Sequence, residues 1–316
     1  MEIAHYPVLK DEVLSLLQPK GEEELLVDAT LGEGGHSELF LKSWPSLKVV
    51  ALDADTSIME VARRRLEPYK DRVRFFNTWF NVFFRDYPLG DERPDLILFD
   101  LGISVYHYEK GGRGFSFRKD EELDMRLGEE LEITAFDIVN EYPEEEIADI
   151  LFRFGEERYS RRIASAIVNT RSGEPIRTTA NLAEVIRRSV PPKYRNGRIH
   201  PATRSFQALR IAVNGELARL EGVLQHSFSV LKPGGRMGVI SFHSLEDRIV
   251  KWFFREKQKA CTCPPESPIC KCEGVSRAEI ITRKPIRPTE EEVRMNPPSR
   301  SARFRVLEKT RDEGFV

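Results

Sequence analysis

Ten residues constrain this chain more than any others: Val27-Asp28-Ala29-Thr30-Leu31-Gly32-Glu33-Gly34-Gly35-His36. The stretch opens on Leu25-Leu26-Val27, a short apolar run of the kind that parallel sheets bury on both faces. An acid follows, then three glycines within four positions, then Ser37-Glu38-Leu39-Phe40-Leu41, which has helical character. Strand, glycine turn and helix in that order build the cradle for nucleotide-like ligands in α/β folds. Glycine takes positive φ there and lets a ligand approach the main chain. An ordinary tight turn uses the same residues, so the glycines alone do not decide.

A second apolar run, Lys48-Val49-Val50-Ala51-Leu52, ends in Asp53, twenty-one residues after Gly32. An acid at about that offset stands at the tip of the neighbouring strand and accepts the hydroxyls of a ribose. The first third of the chain therefore reads as a site for an adenosine-type ligand. A dinucleotide fingerprint has the form G-x-G-x-x-G, but Gly32-Glu33-Gly34 is followed by Gly35-His36-Ser37, so the last glycine is missing. Asp28 at the strand end repels phosphate and suits a cation. S-adenosylmethionine, with its sulfonium and ammonium groups, fits that charge better than NAD.

Val73-Arg74-Phe75-Phe76 reads as a third strand, followed by Asn77-Thr78-Trp79-Phe80. Phe80 or Trp79, just past the strand, is placed to lie against an adenine ring, with a core aromatic the plainer reading of Trp79. Pro94 to Phe99 is a fourth strand and ends in Asp100-Leu101-Gly102-Ile103-Ser104. Polar residues at the carboxyl end of a central strand face the crevice where ligands sit, which makes Asp100 the candidate reaction centre. The next clear strand is Arg236 to Ser241. About 135 residues lie between, where a crossover needs only a few tens, so an inserted domain is expected. Its apolar spacing is helical over 144–154, 160–170, 178–190 and 203–231, the last interrupted at Asn214-Gly215. The expected division is 1–105 and 216–316 for the sheet domain and 106–215 for a helical, substrate-recognising insertion.

Charge supports a polyanionic partner for that insertion. The formal net charge is only −2, but residues 151–210 hold thirteen bases against four acids, and 121–150 hold twelve acids against Arg126. A local basic face supplies phosphate contacts even when the whole chain is neutral. Solvated helix faces are the competing reading of the same counts. Gly111 to Arg118 alternates basic and aromatic residues and reads as a loop. No apolar run is long enough to span a membrane, and the first residues lack the pattern of a signal peptide; a cytoplasmic protein is expected.

Downstream, Ser244 with Asp247 resembles a capping box opening a helix after the fifth strand, with His243 at the crevice rim a candidate for substrate contact. Ala278 to Thr282 and Ala302 to Leu307 are expected to close the sheet as a strand pair. All four cysteines fall in Cys261-x-Cys263 and Cys270-x-Cys272. Paired cysteines in a cytosolic chain favour metal over disulfide, yet one intervening residue is tighter than a usual zinc knuckle. Bound zinc and reduced thiols both stay open, and no residue is assigned to a metal.

Taken together, these stretches resemble the RsmH (MraW) family of small-subunit ribosomal RNA methyltransferases. The likeness is carried by His5 to Leu9, Asp28 to His36, Asp100 to Ser104, Arg113 to Phe117, Leu123 to Arg126, Pro201 to Leu217, Ser241 to Arg248 and Arg300 to Arg303. The resemblance implies a class I, Rossmann-like methyltransferase sheet with an inserted helical domain. It implies S-adenosylmethionine as cofactor, and N4 methylation of a decoding-region cytidine of 16S rRNA within the small ribosomal subunit. Cofactor contacts carried over by motif fall on Gly34, Gly35, His36, Asp53, Phe80 and Asp100. The family reads Ser-Ser-Pro-Gln where this chain has Ser104-Val105-Tyr106-His107, so His107 stands at the position of a cofactor-contacting Gln. A histidine donates a comparable hydrogen bond.

The chemistry asks mainly for alignment of a poor amine nucleophile with an activated methyl group. Asp100, hydrogen-bonded to an amine proton, would ease its loss. Two other classes, a dinucleotide-dependent oxidoreductase and a non-catalytic RNA-binding assembly factor, stay in view. No membrane partner is expected, and a homodimer stays possible.

Overall fold

The computed structural model describes residues 6–103, 112–128, 130–197, 199–261, 263 and 274–312. Its strands are β1 (Leu25–Asp28), β2 (Lys48–Asp53), β3 (Val73–Asn77), β4 (Leu96–Asp100), β5 (Arg236–Ser241), β6 (Ala278–Ile280) and β7 (Arg303–Lys309). They form one sheet in the order β3-β2-β1-β4-β5-β7-β6. The first five are parallel, and β7 runs antiparallel to both β5 and β6. An antiparallel strand slotted between the fifth and sixth defines the class I methyltransferase sheet. The expected closing strand pair is present.

Among the described residues the α-helices of six residues or more are α1 (Lys10–Leu16), α2 (Gly35–Ser43), α3 (Thr56–Leu66), α4 (Phe80–Asp86), α5 (Ala135–Glu141), α6 (Glu144–Gly155), α7 (Ser160–Arg171), α8 (Thr179–Ser189), α9 (Ala202–Asn214), α10 (Glu216–Val230), α11 (Ser244–Gln258) and α12 (Glu290–Met295). Among the described residues no helix is long and apolar enough to cross a membrane. The run 203–231 is not one helix: Gly215, at φ 59°, ends α9 in a left-handed cap.

The chain divides into two units, residues 1–102 with 217–316, and residues 103–216. In the first, alternation along each strand sends side chains to opposite faces. Leu26, Val49, Ala51, Leu98 and Ile240 pack on one side with Phe40, Leu41, Met59 and Leu66 of α2 and α3. Val27, Val50, Ile97, Phe99 and Val239 pack on the other with Phe83, Leu224, Phe228 and Phe254 of α4, α10 and α11. The second unit has its own core, built from Ile138, Leu151, Ile163, Ile167, Leu182, Ile186, Phe206 and Leu209 among others.

One buried charge holds the sheet's far edge to α10. Lys309 is fully buried, and its Nζ donates to the carbonyls of Phe228, Ser229 and Leu231 at 2.9, 3.0 and 2.8 Å. Arg93 adds bonds to Val230 and Leu231. The last carbonyls of a helix have no partner of their own, and here two cations supply it. Replacing Lys309 by Met keeps volume and removes the buried donor, leaving Phe228 O without its cation and Leu231 O with Arg93 alone. Urea unfolding of Lys309→Met should show a loss of about 3 kcal/mol; a midpoint and slope equal to wild type would refute the role.

Candidate active site

The order of the strands reverses between β1 and β4, and in open α/β sheets ligands bind at that point, outside the carboxyl ends. The glycine loop lies there. Its backbone is bound to the strands on either side: Ala29 N–H donates to Leu98 O at 2.9 Å and Leu31 N–H to Leu52 O at 2.8 Å. Two side chains tie it further. Asp53 Oδ2 accepts from Gly32 N–H at 2.9 Å, and Thr30 Oγ1 accepts from Asp100 N–H at 2.6 Å. Gly34, at φ 79°, is the left-handed residue from which α2 starts. At Gly35 a side chain is excluded for another reason, since a Cβ would lie 2.8 Å from Cγ of Pro7.

The described site residues fall at two strand ends, Asp53 and Asp100, and two helix starts, Gly34 to His36 and Phe80. Asp53, half-buried, spends its second oxygen on Asp55 N–H at 2.9 Å. Both oxygens are thus engaged with main-chain N–H groups at the tip of β2. His36 is buried in the first turn of α2, with Nε2 3.5 Å from Asp100 Oδ2. That is beyond a hydrogen bond of normal length. Among the described residues, both His36 ring nitrogens and Asp100 Oδ1 are buried without a hydrogen-bond partner. Buried polar atoms are seldom left so, and such a cluster at a crevice is what a ligand satisfies. Phe80 is half-buried and packs edge-on against Phe99 at 5.9 Å. His107 lies outside the described residues.

Asp28 differs from its expected role. It is buried rather than set in the crevice, and accepts from Ser37 Oγ at 2.6 Å and more weakly from Thr30 N–H. Burial raises its pKa above the ordinary carboxyl range, the Ser37 hydrogen bond opposing. Its service is to pin the first turn of α2 to the end of β1. Nothing in the local sequence pattern announces the nine-residue link to Ser37, nor that of Thr30 to Asp100.

The cap of α11 also departs from expectation. The N-cap is His243, not Ser244, and the box closes on Glu246, not Asp247. His243 Nδ1 accepts from Glu246 N–H while Glu246 Oε2 takes Phe242 N–H at 2.8 Å. One nitrogen of the imidazole thus serves the helix end, while Nε2 lies 3.1 Å from Glu246 Oε1. Asp247 is bound instead to Arg305 and Arg303 of β7. Trp79 is half-buried under the guanidinium of Arg219, 4.2 Å from its ring centre. Residues 112–118 form a loop, as expected. Cys261 is exposed; Cys270 and Cys272 lie outside the described residues.

Sheet order and crevice together define a class I methyltransferase. The chain matches the profile of the MraW methylase family over residues 2–310 and belongs to that family of S-adenosylmethionine-dependent methyltransferases, which sets aside the dinucleotide oxidoreductase. It is 55% identical over 309 residues to the ribosomal RNA small subunit methyltransferase H of Treponema denticola, covering 98% of each chain. To the protein of the same name from Heliobacterium mobile it is 46% identical, covering 98% of this chain and 100% of that one. A solved rRNA methylase from Streptococcus thermophilus superposes with a TM-score of 0.43 at 10% identity, over 96% of this chain and 94% of the other.

The raised pKa of Asp28 has a measurable consequence. An acid whose folded pKa is raised costs stability when it ionises; the cost is absent below about pH 4 and grows as pH rises through the folded value. Asn keeps an acceptor for Ser37 and carries no charge. Asp28→Asn should therefore melt at or above the wild-type temperature at pH 7, with the advantage shrinking as pH falls toward 4. A variant less stable than wild type at pH 7 would show that the ionised carboxylate is needed.

Proposed function

We propose that this chain transfers a methyl group from S-adenosylmethionine to N4 of a decoding-region cytidine in small-subunit ribosomal RNA. The observation that carries the site assignment is buried His36 beside half-buried Asp100, with both ring nitrogens and Asp100 Oδ1 unpartnered, next to the glycine loop with Asp53 at the next strand tip. The names of the relatives support the RNA substrate.

The donor set suits the cofactor. In this reading Asp53 at the tip of β2 meets the ribose hydroxyls, Phe80 offers a ring for the adenine, and the start of α2 at Gly34 and Gly35 lies beside the ligand. Bound there, S-adenosylmethionine supplies a methyl carbon activated by its sulfonium. The task of the chain is alignment, because the cytosine amine is a weak nucleophile whose lone pair is delocalised into the ring. The methyl carbon would part from sulfur as it joins N4, leaving S-adenosylhomocysteine, and the Asp100 carboxylate would accept the proton that N4 sheds. The Asp100 backbone is held by Thr30, so that oxygen has little freedom to drift. The target base must be splayed out of its stack to be reached.

The helical unit carries the phosphate contacts in this reading. Arg161 and Arg162 are exposed in the first turn of α7, and neither has an ion pair among the described residues. Neighbouring Glu157 is buried and spent on Tyr159 N–H and the Tyr194 hydroxyl. Arg158 lies over the Tyr159 and Tyr194 rings at 4.9 and 4.8 Å, so it supports its own unit as well.

Two measurements check the reading. Small-subunit particles incubated with radiolabelled S-adenosylmethionine should yield N4-methylcytidine on nucleoside analysis; label only on carbon-5 or a 2′-hydroxyl would overturn it. RNA bound without any transfer would indicate a non-catalytic binder. Arg161→Glu with Arg162→Glu should weaken RNA binding severalfold and flatten the slope of log affinity against log salt by roughly 1.4, at about 0.7 per lost phosphate contact. Cofactor affinity should hold. An unchanged slope in the folded variant would remove these residues from the RNA path.

A further inference from the structure

The aromatic loop that the cofactor chemistry leaves unused is held more firmly than a surface loop needs. Gly114 sits at φ 73°, and a Cβ there would lie 2.1 Å from Glu122 O. Its N–H donates to Glu121 Oε2 at 3.0 Å. Glu121 and Thr179 then exchange two bonds: Glu121 N–H to Thr179 Oγ1 at 3.1 Å and Thr179 N–H to Glu121 O at 2.9 Å. Met125 N–H closes the loop onto Arg113 O at 2.7 Å, and Phe115 is buried in the core of the helical unit.

Two residues beyond that anchor, Phe117 lies against His200. Their ring centres are 4.5 Å apart and their planes 28° from parallel. Phe206 braces the far side of Phe117 edge-on at 5.1 Å. His200 is itself fixed, because its Nδ1 accepts from Ala202 N–H at 3.2 Å. Phe117 is half-buried, whereas His200 is exposed, as are Ile199 beside it and Arg118 beside Phe117. Burial and the charge of Arg187 pull the imidazole below the ordinary histidine range, so it stays neutral at physiological pH.

A rigid aromatic pair with one side open, on a unit rich in arginine, matches how proteins hold single-stranded RNA. Unpaired bases stack on His, Phe and Tyr rings while basic side chains follow the backbone. We propose that the Phe117–His200 pair is a stacking platform for one unpaired base of the RNA substrate, distinct from the base that is methylated. The proposal rests on the reading of this chain as an RNA methyltransferase and adds a second point of contact. A stack carries no base-edge code, so the platform secures strand conformation rather than sequence.

The test uses the full chain and a decoding-region RNA fragment carrying 2-aminopurine at one position at a time. Wild type should quench the probe at one position beside the target. His200→Ala should abolish that quenching and weaken binding roughly five- to a hundredfold, the range for one lost base–aromatic stack. The salt slope and cofactor affinity should stay unchanged. His200→Phe keeps a ring but not the acceptor for Ala202, and should restore both quenching and affinity. Restoration by His200→Gln but not by His200→Phe would show that the imidazole serves only as a helix-end acceptor, and would overturn the platform. Wild-type affinity and quenching in folded His200→Ala would do the same. Failure of the wild-type protein to bind the fragment at all would instead overturn the RNA reading on which the proposal stands.

Discussion

The hydrogen bond from Gly32 N–H to the Asp53 carboxylate is the contact on which the crevice depends. A loop of three glycines pays the largest backbone entropy of any sequence when it is ordered, and its conformation has to be imposed from outside. Asp53 imposes it from the tip of β2, and the Thr30–Asp100 bond does so from the tip of β4. Between these two lies the main-chain ladder of Ala29 and Leu31 to the same neighbouring strands. The loop is therefore strung between the two strands that flank β1. In the proposed reading Asp53 serves two ends at once, fixing the loop and meeting a ribose. Changes there report loop order and ligand contact together.

The rest of the first unit follows from how that edge is held. Asp28, turned inward, fixes the start of α2 through Ser37 and so fixes where His36 stands. His36 and Asp100 are then brought close without being satisfied by each other. Leaving three buried polar atoms unmet costs free energy, of about 1–3 kcal/mol per atom, and folding elsewhere must offset it. Such a debt persists where a ligand relieves it. The opposite edge shows the contrary arrangement, with Lys309 and Arg93 meeting the carbonyls at the end of α10.

Much of this was legible in the residues, because most of it is local. Apolar runs ending in Asp28, Asp53 and Asp100 marked three strand tips, and the offset from Gly32 to Asp53 picked out the acid that meets the loop. The separate helical unit showed in the length between the fourth and fifth strands. What stayed hidden depends on contacts remote in sequence. The inward turn of Asp28 is set by packing of α2, and the burial of Lys309 by a helix some eighty residues away. The His243 cap was misread for a different reason. Serine leads the N-cap statistics, but the position is decided by backbone conformation and by any side-chain acceptor in reach. His243 has extended φ and ψ, and its Nδ1 supplies the acceptor. Phe117 and His200 are eighty-three positions apart, so their stacking had no signature at all.

Two units with separate hydrophobic cores, one on each face of the sheet and one among the helices, give the chain a division that the chemistry can use. Methyl transfer needs a site held to fractions of an ångström, which the parallel sheet provides through bonds made on both sides of one loop. Holding RNA needs a broad, charged and partly aromatic surface, and in the proposed reading the helical unit, with its own core, supplies it. Exposed arginines contribute an attraction that fades with salt, while a stacked base contributes one that largely does not. The two terms answer different questions. Phosphate contacts bring RNA to the surface from any direction, and a fixed ring accepts only a strand already opened. A target base can be presented only from such an opened strand, so under the proposed platform recognition of the open conformation would link binding to chemistry.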